Sequence, residues 1–295
     1  MTPVEIYETS QIKRHRATKA EVRRRRADLF EIMSGMHPMT VRQVFYQASV
    51  RGIVEKSESG YDRVQHDLVL MRRAGDLPYG WLVDNTRWQR KPQTFGSVEE
   101  ALRETAELYR KALWNDVDQY VEIWLEKDAL SGVIYPITSL YDVPLMVARG
   151  YASLSFLHEG AEYIRALDDG VSTYIYHLGD FDPSGKDAAE KIEQTLREMA
   201  PAAQIYFEQL AVLPEQIERW NLPTRPTKKT DSRAKGFGEI SVELDAIQPD
   251  MLRSLVQVTL EQHLPSDRLQ VLRAAEQSER ILIRGLVESM TGGAP

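Results

Sequence analysis

The sequence predicts an α/β protein, a mostly parallel sheet with helices on both faces, preceded by a smaller α+β part. Three observations predict it. Beyond residue 118, short apolar runs alternate with helix-period segments, the βα rhythm of a parallel sheet. Before residue 95, three helical segments end in a strand-like run. The charge divides at the same place. Residues 1–95 hold 17 Lys and Arg against 11 Asp and Glu, and residues 96–295 hold 20 against 33.

A basic stretch comes first. Lys13, Arg14, Arg16, Lys19, Arg23, Arg24, Arg25 and Arg26 are opposed only by Glu21. Such a run neutralises backbone phosphates, or it is the solvated face of a helix. Residues 20–34 read as that helix, with Val22, Leu29, Phe30 and Met33 on its apolar side, and Gly35 and Pro38 break it. Thr40 is placed to cap a helix over 41–50 that Gly52 ends. A turn at 57–60 leads to a third helix over 61–74, where Val64, Leu68 and Met71 recur at helical spacing, and Gly75 stops it. Residues 78–84 read as a short strand or wing. Three helices and a wing in a basic segment form the pattern of a winged-helix DNA-binding module, with Arg63, Arg72 and Arg73 as further phosphate contacts.

A connecting helix over 98–114 follows. Strands are then expected at 120–125, 144–148, 173–178 and 204–210, with helices from about residue 128, at 153–167 and at 186–199. The division expected is a basic arm at 1–27, a winged helix at 28–95, a connector at 96–115, the sheet domain at 116–265, and a C-terminal helix and tail at 266–295.

Composition narrows the function classes. With 42% hydrophobic and 27% charged residues the chain is globular rather than disordered. It has no cysteine, which excludes a disulfide scaffold, thiol catalysis and Cys-ligated zinc. No run approaches the ~18 apolar residues of a membrane span, and the N-terminus lacks the apolar core of a signal peptide. A cytoplasmic location and no membrane partner are the resulting expectations. No Gly-x-x-x-x-Gly-Lys-Ser/Thr loop is present, so ATP-driven work would need a separate subunit.

Chemistry concentrates at two strand ends, where the active centre of a parallel sheet belongs. The 120–125 strand runs into Leu125-Glu126-Lys127-Asp128-Ala129. The 173–178 strand runs into Gly179-Asp180-Phe181-Asp182-Pro183-Ser184-Gly185. Carboxylates at i and i+2 on a strand-end loop can converge on one hard cation such as Mg²⁺, with Mn²⁺ as the alternative. Glu126 could complete that site or handle a proton. Capping of the next helix by Asp182 is the competing reading. Asp180 as a phosphotransferase nucleophile is another. An EF-hand is excluded, because its twelfth position is Lys191. If the acids do cluster, removing Asp180 and Asp182 should relieve repulsion and raise stability without a cation.

These two segments resemble the signature motifs of the Toprim fold. They are most similar to those of the topoisomerase VI A subunit, with its Glu-Lys-Asp-Ala and Asp-x-Asp-Pro-x-Gly. Ala148-Arg149-Gly150-Tyr151 resembles that family's Gly-Lys-Gly-Tyr segment and adds Arg149 to the DNA-binding candidates. The resemblance implies that Glu126, Asp180 and Asp182 hold Mg²⁺.

The N-terminal part tests this separately. At ~100° per residue, Val41, Val44, Phe45 and Ala48 share one face of the 41–50 helix, while Tyr46 lies ~140° and Arg42 ~100° from Val41. Arg42 and Tyr46 are thus i,i+4 neighbours off the apolar stripe. A guanidinium there could bind phosphate and favour the phenolate, and an ordinary boundary tyrosine is the alternative. Thr40 through Tyr46 also resembles the Arg-x-x-(Tyr/Phe)-Tyr active segment of the topoisomerase VI A subunit and the meiotic double-strand-break transesterase. The likeness covers roughly residues 20–250, and in length the chain is nearer the stand-alone Mini-A relatives.

The resemblance implies a DNA-cleaving isomerase-type enzyme. Its nucleophile would be Tyr46, its phosphate-side arginine Arg42 and its metal ligands the three acids. A homodimer acting on double-stranded DNA is implied, with Tyr from one protomer meeting the metal of the other and a B-type ATPase as partner. A Toprim nuclease that does not use Tyr46, and a catalytically silent DNA-binding protein, are the rival readings. Residues 225–235 read as a mobile basic loop or exposed linker. Val242-Glu243-Leu244-Asp245 resembles the Glu-rich end of the Toprim domain, and neither Glu243 nor Asp245 is given a catalytic role.

Overall fold

A computed structural model describes residues 17–83, 92–115, 117–227 and 237–291, with the side chains of Met290 and Thr291 left aside. Lys13, Arg14 and Arg16, most of the 225–235 loop and the end of the expected wing lie outside the described residues.

Three helices open the fold: α1 (Lys19–Met36), α2 (Val41–Val50) and α3 (Glu58–Ala74). Thr40 caps α2 in a reciprocal box. Its hydroxyl accepts from Gln43 N–H at 3.1 Å, and the Gln43 side chain accepts from Thr40 N–H at 3.0 Å. Ser57 caps α3, which therefore starts three residues before the expected position. Gly75 ends it at φ +81°, a conformation that favours glycine. Leu29, Ile32, Met33, Val44, Phe45, Val64 and Leu68 form the core of this part.

Two members of the basic run serve this fold. Arg25 and Arg26 reach Asp67 of α3 at 2.7 and 3.0 Å, and the Asp67 side chain is only 1% exposed. Pairing is what makes a carboxylate that deep tolerable. The expected strand at 78–84 is instead a 3₁₀ turn, Tyr79–Trp81, followed by a single parallel bridge from Leu82 to Met39. No two-stranded wing is formed among the described residues.

After α4 (Val98–Leu108), shorter than the expected connector, comes a four-stranded, all-parallel sheet in the order β2-β1-β3-β4. Its strands are β1 (Gln119–Leu125), β2 (Leu145–Val147), β3 (Ser172–Leu178) and β4 (Gln204–Ala211). Helices α5 (Ser131–Leu140), α6 (Leu154–Arg165) and α7 (Pro183–Met199) follow the first three strands. Alternate residues feed two cores, as the period of a strand requires. Ile123, Leu125, Tyr176 and Leu178 face α5 and α9 (Pro249–His263), while Trp124 and Ile175 face α6 and α7.

A short α8 (Pro214–Arg219) leads to a two-stranded ladder of β5 (Arg225–Pro226) with β6 (Ile240–Ser241). A bridge from Val242 to Phe181 and a 3₁₀ turn at Leu244–Ala246 carry the chain over the carboxyl ends of the sheet. The last helix, α10 (Ser266–Thr291), packs along α4. Among the described residues no helix is long and apolar enough to cross a membrane.

Candidate active site

Parallel β1 and β3 are in register, Leu125 beside Leu178, so their next residues emerge side by side. Glu126 therefore meets the Gly179–Asp182 loop, and its Oε2 accepts from Asp180 N–H at 2.8 Å. Two glycines make the fit. A Cβ on Gly179 would come 2.8 Å from Glu126 Oε2, and one on Gly185 would come 2.4 Å from the Asp180 carbonyl oxygen and 3.2 Å from Glu126 Oε2.

Asp180 Oδ1 accepts from Leu244 N–H at 2.8 Å and pairs with Lys127 at 2.9 Å. Asp182 takes the capping role, the competing reading of the sequence, and also pairs with a cation of the protein. Its Oδ1 caps α7 by accepting from Gly185 N–H at 2.8 Å, and its Oδ2 accepts from Arg225 at 3.1 Å.

Two carboxylates that the sequence reading left aside complete the cluster. Lys127 Nζ lies 3.3 Å from Glu243 and 2.9 Å from Asp245. Glu243 also accepts from Arg225 at 2.9 Å and pairs with Arg42 at 3.4 Å. Thr40 Oγ1 donates to Asp245 at 3.4 Å, so the cap of α2 touches the sheet domain. The paired acids of Glu243-Leu244-Asp245, spaced like those of the Asp180 loop, were the available signal. Lys127 was equally visible, adjacent to Glu126.

Tyr46 joins the cluster from the other side. It lies off the apolar stripe of α2, as the wheel predicts, but that second face is not solvent. Tyr46 is 6% exposed and belongs to the sheet core with Leu178 and Val242, while Phe45 belongs to the helical core. Helix α2 is a wedge between two cores, with Gln43 and Gln47 also buried. This burial reverses the expectation for the phenol. Its pKa is pushed up to about 12, by desolvation first and then by Glu243, against the opposing pull of Arg42 and Lys127. The free protein holds it protonated.

Burial also governs the acids. The Glu126 carboxyl is raised to about 7, by desolvation and then by Asp180. Asp180 is raised as well, desolvation outweighing Lys127 and the Leu244 N–H. Glu243 is lowered, because Lys127, Arg42 and Arg225 together overcome its desolvation. Lys127 is raised by Asp245, Asp180 and Glu243 in spite of its burial.

Oxygen donors of this kind suit a hard divalent cation. Among the described residues no three acidic or imidazole side chains form a group that could hold an ion as they stand, since Lys127 and Arg225 are interleaved with them. Glu126 Oε1 and Asp180 Oδ2 take no part in the bonds above. Together with Asp182 they are the donors that fit such an ion. Beside them opens a cavity of ≈ 460 Å³, walled by Phe181, Phe207 and Phe237 and bordered by Asp180 and Asp182. A larger one of ≈ 700 Å³, between Trp114, Tyr120 and Tyr163, lies at the amino ends of β1 and β2, away from the acids.

The DNA-binding candidates separate. Arg23, Arg24, Arg63 and Arg73 are exposed on α1 and α3. Arg72 stacks on Tyr79 with its guanidinium carbon 4.4 Å from the ring centroid. Arg149, with φ +55°, pairs with Asp128 at 2.8 Å. Lys13 and Arg14 lie outside the described residues. No protein-family model matches the chain, and no curated protein matches it.

Proposed function

We propose that this chain is a Mg²⁺-dependent DNA strand-cleaving transesterase of the topoisomerase VI A type, its sheet a Toprim domain. One observation carries the reading. The Arg42/Tyr46 pair and the acids at two strand ends, read from separate parts of the sequence, belong to one cluster joined through Glu243 and Lys127.

Tyr46 Oη attacks a backbone phosphorus, a P–O bond to tyrosine forms, and the P–O bond to one deoxyribose breaks. The phenol proton must leave during attack. Glu126, raised to about 7 while no cation is bound, would serve as acid–base group or as cation ligand, and not as both at once. The departing sugar oxygen takes up a proton. Arg42 binds the phosphate and offsets its growing charge. Glu126, Asp180 and Asp182 would hold Mg²⁺, which supplies Lewis-acid neutralisation of the scissile region. Cutting both strands takes two copies, although Arg42 here reaches the acid cluster of its own chain, where the resemblance has tyrosine and metal meet between protomers; ATP-driven strand passage takes a separate ATPase subunit.

Denaturing gel analysis with Mg²⁺ and labelled duplex tests the reading. The wild type should leave DNA covalently attached to a peptide containing Tyr46, and Tyr46→Phe should leave neither adduct nor cut. The burial and protonation of Tyr46 favour a second reading, a Toprim nuclease using metal-activated water. That reading gains the field if Tyr46→Phe still cuts and leaves free ends.

A further inference from the structure

Tyr46 is approached by a cation that neither motif includes. Lys56, exposed in the loop between α2 and α3, has its Nζ 5.3 Å from the centroid of the Tyr46 ring. The same Nζ donates to the Thr224 carbonyl at 3.1 Å. Its partners among the described residues are thus a carbonyl and an aromatic face, neither of them charged. The residue after Thr224 is Arg225, which spans Asp182 and Glu243. Glu243 in turn holds Arg42, one turn before Tyr46 on α2. Lys56 thus meets the ring of Tyr46, Arg42 sits one turn before it, and Arg225, next to the carbonyl that Lys56 holds, shares the counterion Glu243 with Arg42.

Their chemistry is matched to a phosphodiester. Two guanidinium forks and an ammonium can donate to the two non-bridging oxygens of such a group. Burial lowers the Lys56 pKa, Glu243 works against that, and Arg225 adds to it. An incoming anion would relieve this strain on the ammonium.

We propose that Lys56 and Arg225 complete, with Arg42, a binding site for the backbone phosphodiester beside Tyr46. Lys56 and Arg225 are its phosphate-binding residues, and Glu243 is the anion that occupies the cations until DNA arrives. This rests on the DNA-cleaving reading for its ligand, but not on the nucleophile or the metal.

The test uses the full chain, a labelled duplex of about 30 base pairs and EDTA, so that no cleavage intervenes, with affinity followed across salt concentration. Lys56→Met and Arg225→Met should each reduce the salt slope by about 1 and weaken binding roughly 5- to 10-fold at moderate salt. Lys56→Arg should restore the slope. Glu243→Gln should bind more tightly than the wild type. A purely structural Lys56, packing on the ring and tying down residue 224, predicts a lowered melting temperature with an unchanged slope, and that result overturns the proposal. Wild-type protein that binds DNA through these residues but forms no Tyr46 adduct would leave the phosphate site standing and remove the transesterase reading. Absence of salt-dependent binding in the wild type would remove both.

Discussion

Two ionic clusters in this molecule use the same side chains to opposite ends. In the helical part, Arg25 and Arg26 enclose Asp67, two cations to one buried carboxylate, both within 3.0 Å. At the seam, Glu126, Asp180, Asp182, Glu243 and Asp245 share Lys127, Arg42 and Arg225. The first cluster is closed, because its single acid is saturated with donors. The second is open, because it holds more acid than cation in a place dry enough to raise Glu126 and Asp180. A closed cluster can only hold structure together. An open one has an unmet demand for positive charge, and that is the physical mark of a site.

The difference can be broken by substitution. The largest effect on stability belongs to the closed cluster. Asp67→Ala leaves two guanidinium groups facing a buried void and should cost about 3–5 kcal/mol, read by urea unfolding. Cleavage by the protein that remains folded should be unaffected. A loss of less than 1 kcal/mol would show that Asp67 is not the clasp of α1 on α3.

The reverse pattern belongs to the open cluster. Asp180→Asn retains an acceptor for Leu244 N–H, so unfolding should move by about 1 kcal/mol or less. Cleavage should fall at least ~10²-fold, and Mn²⁺ binding by titration calorimetry should disappear. Equal losses of stability and activity would erase the distinction between the clusters.

A smaller effect runs against the relief of like-charge repulsion expected when both Asp180 and Asp182 are removed. Asp182→Ala removes the cap of α7 and frees Arg225, so it should destabilise the cation-free protein by about 1 kcal/mol rather than stabilise it. Asp182→Asn, which can still cap, should recover most of that loss. A rise in melting temperature for Asp182→Ala would restore repulsion as the dominant force.

The last effect is a pH dependence. Glu126 binds its proton more tightly folded than unfolded, since its carboxyl is raised to about 7 from an ordinary value near 4.5. Its contribution to stability is therefore complete below pH ~4.5 and is lost as pH rises through ~7. The melting temperature of the wild type, measured against Glu126→Gln, should decline over that window. Millimolar Mg²⁺ should flatten the decline, and a parallel pair of curves without Mg²⁺ would refute the shift.

Much of the fold was legible because buried parallel strands are written as apolar runs that turns delimit. Tyr120–Leu125 and Thr173–Leu178 needed no tertiary information, and Glu126, Asp180 and Asp182 followed from the carboxyl-end rule. What escaped depended on contacts between distant segments. Glu243 and Asp245 reach the site only because Val242 bridges Phe181, and a two-residue bridge leaves no periodicity to detect. Arg25 and Arg26 resembled Arg23 and Arg24 in sequence, and only contact with Asp67, some forty residues on in α3, separates clasp from surface. Tyr46 was placed on the correct side of its helix. The sequence of α2 could not say that this side faces a second core rather than water.

That wedge position has a consequence for biosynthesis. Helix α2 needs residues 240–250 to cover its second face, and Thr40 meets its partner Asp245 across 205 positions. At ~5–20 residues per second, roughly 10–40 s of translation separate the two. Throughout that interval the nascent helical part carries Tyr46, Gln43 and Gln47 on an uncovered face. A released fragment ending near residue 100 should therefore be a better substrate for chaperones than the finished chain, although it contains the whole of its own core, from Leu29 to Leu82.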